Sequence, residues 1–208
     1  MAKDWHEWHR HYDDDGSGLA GRLRVVQRDL RQALGEAPRD GDGVVRLVVM
    51  CAGEGRDVLP VLAAYEGTVR SVLVELDPDL ADKARAANAP GVTVRTGDAG
   101  DPATYQDLAP AHIVMACGVF GNTTVADAHR TIEALPTLLA DDGLVIWTRG
   151  HFAEDDTDPA QDLREHFTRS GFAEVSYTSP EDERFRVGMN RLVQRPAIDQ
   201  PERFFSFV

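Results

Sequence analysis

From residue 44 onward, short apolar runs alternate with segments of helical period, and this alternation leaves few architectures open to the chain. Residues 44–50 form a near-continuous apolar run, the pattern of a strand buried on both faces of a parallel sheet. Further strands are predicted over 69–75, 92–95, 113–117, 144–148 and 172–178, and helices over 57–65, 78–88, 124–139 and 159–170. Pro78 opens its helix, Gly171 closes the last one, and Asp142-Gly143 makes a turn before the fifth strand. The expected fold is α/β, a doubly wound and mostly parallel sheet. A last strand over 185–193 follows the sixth after only a Ser179-Pro180-Glu181-Asp182 turn, which predicts an antiparallel hairpin at the edge of a seven-stranded sheet.

The first 43 residues differ in character, so an N-terminal helical segment (1–43) and a main α/β domain (44–208) are expected. Leu19, Leu23, Val26, Leu30 and Leu34 recur at helical spacing, and Arg22, Arg24, Arg28 and Arg31 read as the solvent side of that helix. Upstream, Trp5, Trp8 and Tyr12 fall on one face at i, i+3 and i+7, a stripe suited to a lid or to plain packing. His6 and His9 could share a helix face with acids nearby, but His11 would point elsewhere and no metal-ligand pattern is present; no metal is expected.

The 208 residues are 42% hydrophobic with a net charge of −13. Nucleic-acid binding needs a basic footprint, so DNA and bulk RNA are poor candidate partners. No stretch reaches the roughly 20 apolar residues of a membrane span, and the first residues lack the apolar core of a secretory signal, so a cytoplasmic location is expected. The two cysteines, Cys51 and Cys117, each end an apolar run and read as reduced, buried thiols.

In a doubly wound sheet, ligands bind beyond the carboxyl ends of the strands, where strand order reverses. The loop after the first strand is Cys51-Ala52-Gly53-Glu54-Gly55-Arg56-Asp57, whose small residues allow close backbone approach to a ligand. Glu75 ends the second strand, where a carboxylate can accept hydrogen bonds from both hydroxyls of a ribose. Asp77, just before Pro78, reads as a helix cap. After the third strand comes Thr96-Gly97-Asp98-Ala99, whose Asp can accept from an exocyclic amine of adenine.

These three loops, in this order, resemble those of class I S-adenosylmethionine-dependent methyltransferases, over residues 44–193. The resemblance implies S-adenosylmethionine as cofactor, with Ala52, Gly53, Glu54 and Gly55 around its methionine moiety and Glu75 on its ribose. It also implies Leu76 against adenine, Asp98 and Ala99 at the adenine edge, and Cys117 with Gly118 beneath the donor. The family usually opens its first motif with an acid and three glycines. Here Val49 stands for the acid and Cys51 for the first glycine, so the contacts to the donor's amino group must come from elsewhere, backbone carbonyls or Glu54.

The acceptor side is expected after the fourth and fifth strands. Asn122 is a candidate to orient the acceptor, Phe120 to wall its pocket, and Asn122 or Thr123 to cap the next helix. Arg149 could pair with an acidic acceptor or with the donor carboxylate, and His151 is the candidate general base. Trp5, Trp8, His9 and Tyr12 are the candidate lid. The acid surface favours a small-molecule acceptor. Two alternatives stay open: a nicotinamide-dependent oxidoreductase, against which Val58 stands where the dinucleotide fingerprint wants glycine, and a non-catalytic nucleotide-binding protein. The apolar tail, Phe204-Phe205-Ser206-Phe207-Val208, is expected to dock on its own domain, with a homodimer contact as the other outcome.

Overall fold

The computed structural model describes residues 11–14, 16–150 and 158–208. Strands β1 (Val45–Met50), β2 (Val69–Glu75), β3 (Val92–Thr96), β4 (Ala111–Ala116), β5 (Leu139–Gly150), β6 (Phe172–Thr178) and β7 (Phe185–Leu192) form one sheet. Its order is β3-β2-β1-β4-β5-β7-β6. All neighbours from β3 to β5 are parallel, and β7 runs antiparallel to both β5 and β6, as the short final turn predicts. Strand order reverses between β1 and β4, so the loops after β1, β2, β3 and β4 open at one end of the sheet.

Helices α1 (Gly18–Glu36), α2 (Leu59–Ala63), α3 (Pro78–Ala86), α4 (Val125–Ala134) and α5 (Pro159–Arg169) complete the fold. α1 begins where Ser17 Oγ accepts from the Ala20 N–H, and it packs on β7 and β5 through Val26, Leu30, Ala33 and Leu34, all fully buried. Each such Val or Leu contributes about 1.5–3 kcal/mol. The opposite face of the sheet carries Val145, Trp147, Phe120 and Phe167 in a second core layer. Gly188 of β7 lets the Trp147 indole lie against the backbone: an added Cβ would sit 2.3 Å from the ring.

The helix expected over 124–139 is shorter. Pro136 has no N–H to continue the ladder, so α4 stops at Ala134, a 3-10 turn spans Leu135–Thr137, and Leu139 already pairs with Ala111. The expected Asp142-Gly143 turn is an irregularity near the start of β5, with Asp142 at φ 59°. α2 is also shorter than expected, because residues 53–57 are taken up by turns before it. Arg22 is not on the solvent side of α1: it shares the buried face with Val26, Asp29 and Leu30. Among the described residues no helix is long and apolar enough to cross a membrane.

Candidate functional site

The loop after β1 turns sharply, and its backbone explains its composition. Cys51, Gly53 and Gly55 have φ of 53°, 55° and 76°. Left-handed backbone costs little for glycine and roughly 1–2 kcal/mol for a residue with a Cβ, so Cys51 carries strain in a position suited to glycine. Glu75, at the end of β2, locks the turn: one carboxylate oxygen accepts from the Gly53 N–H (2.7 Å) and the other from the Asp77 N–H (3.0 Å). Asp77 accepts from the N–H groups of Asp79 and Leu80 and caps α3, as expected. After β3, Asp98 accepts from the Gly100 N–H (2.8 Å).

These loops surround a cavity of about 350 Å³. Ala52, Gly53, Glu54, Glu75 and Leu76 line it from the first two loops, and Asp98, Ala99, Cys117 and Gly118 from the next two. Gly55 does not line it; it is buried below, with Leu59 and Leu73 where a Cβ would be. Leu76 is 69% exposed, an apolar side chain held at the cavity wall. Both thiols are held in the neutral form by burial, Cys51 with the Glu75 carboxylate and Cys117 with Asp57 adding to the effect.

Glu54 is already engaged, with Lys83 at 2.6 Å and the Arg56 Nε at 2.8 Å. Burial alone would raise its pKa, but those two cations hold it below the usual carboxylate range. Both of its oxygens are thus engaged within the chain. Asp57 is different. It lines the same cavity, its Oδ1 is buried with no hydrogen-bond partner among the described residues, and burial pushes its carboxyl upward against the opposing pull of Arg22. Arg22 reaches the cavity from α1 and donates to the Tyr12 hydroxyl. Tyr12 lies in a 3-10 turn, His11–Asp13, with the guanidiniums of Arg22 and Arg56 5.7 and 5.6 Å from its ring centre. Asp57 and Arg22 were missed as site residues. The signal for Arg22 was its i, i+4, i+8 spacing with Val26 and Leu30.

The tail was also missed as part of this cavity. Arg203, Phe205, Ser206 and Phe207 line it. The tail docks on its own chain: the Phe204 N–H donates to Gly100 (2.8 Å), the Thr131 hydroxyl to Phe204 (2.7 Å), and the Val208 N–H to Asn122 (3.1 Å). Arg203 pairs with Asp98.

A second cavity, of about 340 Å³, adjoins the first and shares Arg22 and Gly118 with it. Asn122 and Arg149 line it, with Gly18 and Leu19 from the start of α1 and Asp182–Phe185 from the β6–β7 turn among the others. The Asn122 amide donates to the Gly118 carbonyl (2.6 Å). Thr124, rather than Asn122 or Thr123, caps α4. Phe120 does not wall either cavity; it is fully buried, edge-on to Trp147 and Phe167. Trp5, Trp8, His9 and His151 lie outside the described residues. Among the described residues, no group of three or more His, Cys, Asp or Glu could hold a metal ion.

No family model matches the chain, and no curated protein does. Solved structures do. Magnesium protoporphyrin IX methyltransferase (ChlM) from Synechocystis PCC 6803 with bound SAM superposes with a TM-score of 0.63 at 17% identity, over 90% of each chain. The CurJ carbon methyltransferase gives 0.65 at 14% identity, over 83% of this chain and 54% of that one. The CMeT domain of the citrinin polyketide synthase gives 0.62 at 19%, over 84% and 52%. The chain thus spans about half the length of the last two. The seven-stranded sheet, its terminal antiparallel pair and these superpositions agree: the chain has the fold of the class I S-adenosylmethionine-dependent methyltransferases.

Proposed function

We propose that this protein transfers a methyl group from S-adenosylmethionine to a small-molecule acceptor. The observation that carries this reading is the pair of adjoining cavities, one lined by the loops after β1 to β4 and the other beginning where Gly118 and Arg22 end the first. The donor supplies a methyl group already activated on a sulfonium, so the protein's main tasks are to align the nucleophile and to exclude water.

In the first cavity, Glu75 would accept from the ribose hydroxyls with the lone pairs its two backbone contacts leave. Leu76 would cover the adenine face, while Asp98 and Ala99 would meet its edge. Arg22 would hold the donor carboxylate, and Asp57, with its unpartnered oxygen, the ammonium. This pair replaces the acid that Val49 lacks, since Val49 is buried in β1. Asn122, fixed by Gly118, would orient the acceptor in the second cavity. His151 stays the candidate base on sequence grounds, and an amine acceptor arriving neutral would not need it.

The nicotinamide reading is weakened by Val58, which is fully buried at the foot of the first loop. Calorimetric titration with S-adenosylmethionine, S-adenosylhomocysteine and NAD in parallel tests the proposal. Micromolar binding of the first two, lost in Glu75→Ala and Asp98→Ala, is the expected result. NAD binding alone would sink it. Binding of the first two without turnover on any of a broad acceptor panel would favour a non-catalytic binder.

A further inference from the structure

The second cavity is lined by a half-buried guanidinium. Arg149 sits near the end of β5, on the Trp147 side of the sheet, and lines the cavity. Its Nε is buried without a hydrogen-bond partner among the described residues. Burial lowers the pKa of this guanidinium, and the carboxylate acting against that is Asp162 of α5. Asp162 is itself committed to His129, at 2.6 Å. An Nε–H of a guanidinium taken out of water without a hydrogen bond is costly, and that cost is offset when an oxyanion supplies the acceptor.

The surroundings agree with this. Arg22 and Arg184 also line the cavity, against Asp182 and Glu183, so the lining carries a net positive charge in a chain whose net charge is −13. Leu19 and Phe185 supply apolar wall for the body of a ligand. The volume, about 340 Å³, falls within the range typical of small-ligand pockets, roughly 300–1,000 Å³. Arg149 lines the second cavity and not the first, which favours a ligand of the second cavity over the donor carboxylate as its partner.

We infer that the second cavity binds a small organic acid through a charge-assisted contact between Arg149 and the ligand's oxyanion, a carboxylate or phosphate monoester. That this ligand is the methyl acceptor rests on the methyltransferase reading; that the cavity selects an anion does not.

The test uses the whole protein, 15N-labelled, observed at the arginine Nε–H resonances, with Arg149→Gln to assign the Arg149 signal. Benzoate, phenyl phosphate and neutral benzamide are titrated separately, with and without saturating S-adenosylhomocysteine. The expected result is a shift of the Arg149 Nε–H signal with benzoate or phenyl phosphate at an affinity at least tenfold above that for benzamide. Arg149→Gln should erase the preference and Arg149→Lys should keep part of it. Equal binding of benzoate, phenyl phosphate and benzamide would overturn the proposal. So would an anion preference that survives Arg149→Gln, or no anion binding at millimolar concentration. Affinity for S-adenosylhomocysteine, unchanged in Arg149→Gln, reports on folding. Its absence in the parent protein would undo the methyltransferase reading while leaving the anion result to stand or fall by itself.

Discussion

The two cavities are nearly equal in volume, about 350 and 340 Å³, and differ in how their polar groups are supported. In the first, most carboxylates are held before any ligand arrives: Glu75 by two backbone N–H groups, Glu54 by two cations, Asp98 by a backbone N–H and Arg203. In the second, the buried Nε of Arg149 has no hydrogen-bond partner among the described residues. Pre-held groups lose little freedom on binding, which suits a pocket for one invariant ligand. An unpartnered charge selects by chemical class instead, and it rejects ligands that cannot satisfy it.

The largest expected effect of breaking this contrast lies at Glu75. Glu75→Ala removes the acceptor of the Gly53 and Asp77 N–H groups and the proposed ribose contact together. Hydrogen bonds to charged groups contribute about 1.5–3 kcal/mol each, so affinity for S-adenosylhomocysteine should fall roughly 100-fold by calorimetry. A loss under threefold would mean that the loop holds its shape without Glu75, and that the first cavity is not pre-organised by it.

Asp57 is the exception in the first cavity, and it should behave like Arg149. Asp57→Asn should weaken the donor analogue about tenfold, the worth of one charge-assisted contact. The pH dependence has a definite sign. Burial raises the folded-state pKa of this acid, so its anion, the form that attracts an ammonium, is lost as pH falls through that raised value. Affinity should therefore decline on acidification from above the ordinary carboxylate range, with net proton release on binding seen as buffer-dependent calorimetric enthalpy. In Asp57→Asn that component of the proton release should vanish. A parent protein with no proton release would count against Asp57 as the ammonium partner.

A smaller effect is expected at the tail. Arg203 and Asp98 are 45% and 43% exposed, and exposed ion pairs contribute about 0–1 kcal/mol. If adenine needs the Asp98 oxygen that Arg203 holds, Arg203→Ala should raise affinity for S-adenosylhomocysteine by up to about fivefold. A tenfold fall would show instead that Arg203 is itself part of the adenine site.

The same contrast explains what was legible in the sequence. Much of the first cavity is built from loops that directly follow a strand, so strand periodicity located Gly53, Glu75 and Asp98 by position alone, while Arg22 of α1 and the tail were not located that way. The second joins the start of α1, the loop after β4, the end of β5 and the β6–β7 turn. Its members share no local period, and β6 and β7 place their turn there only because β7 inserts beside β5. Arg22 was misread for a related reason: four arginines along one helix suggested a solvated face, while the Leu and Val spacing put one of them inward. Phe120 was misread because a loop aromatic and a core aromatic look alike until Trp147 and Phe167 are seen to enclose it.

Cys51 tests whether the first loop depends on residue chemistry or on backbone shape. At φ 53° it occupies left-handed backbone, and its side chain packs on the core layer that contains Trp147. Cys51→Gly relieves roughly 1–2 kcal/mol of backbone strain. It also loses the packing of one small side chain and adds about 0.4–1 kcal/mol of unfolded-state freedom. These terms oppose one another and are similar in size, so stability should change by under about 1 kcal/mol, a Tm shift of a few degrees at most. Donor-analogue affinity should be unchanged, because the side chain packs on the core layer and its thiol is held neutral by burial. A large fall in affinity would assign the Cys51 side chain itself to the donor site and make the first cavity depend on a contact that glycine could not supply.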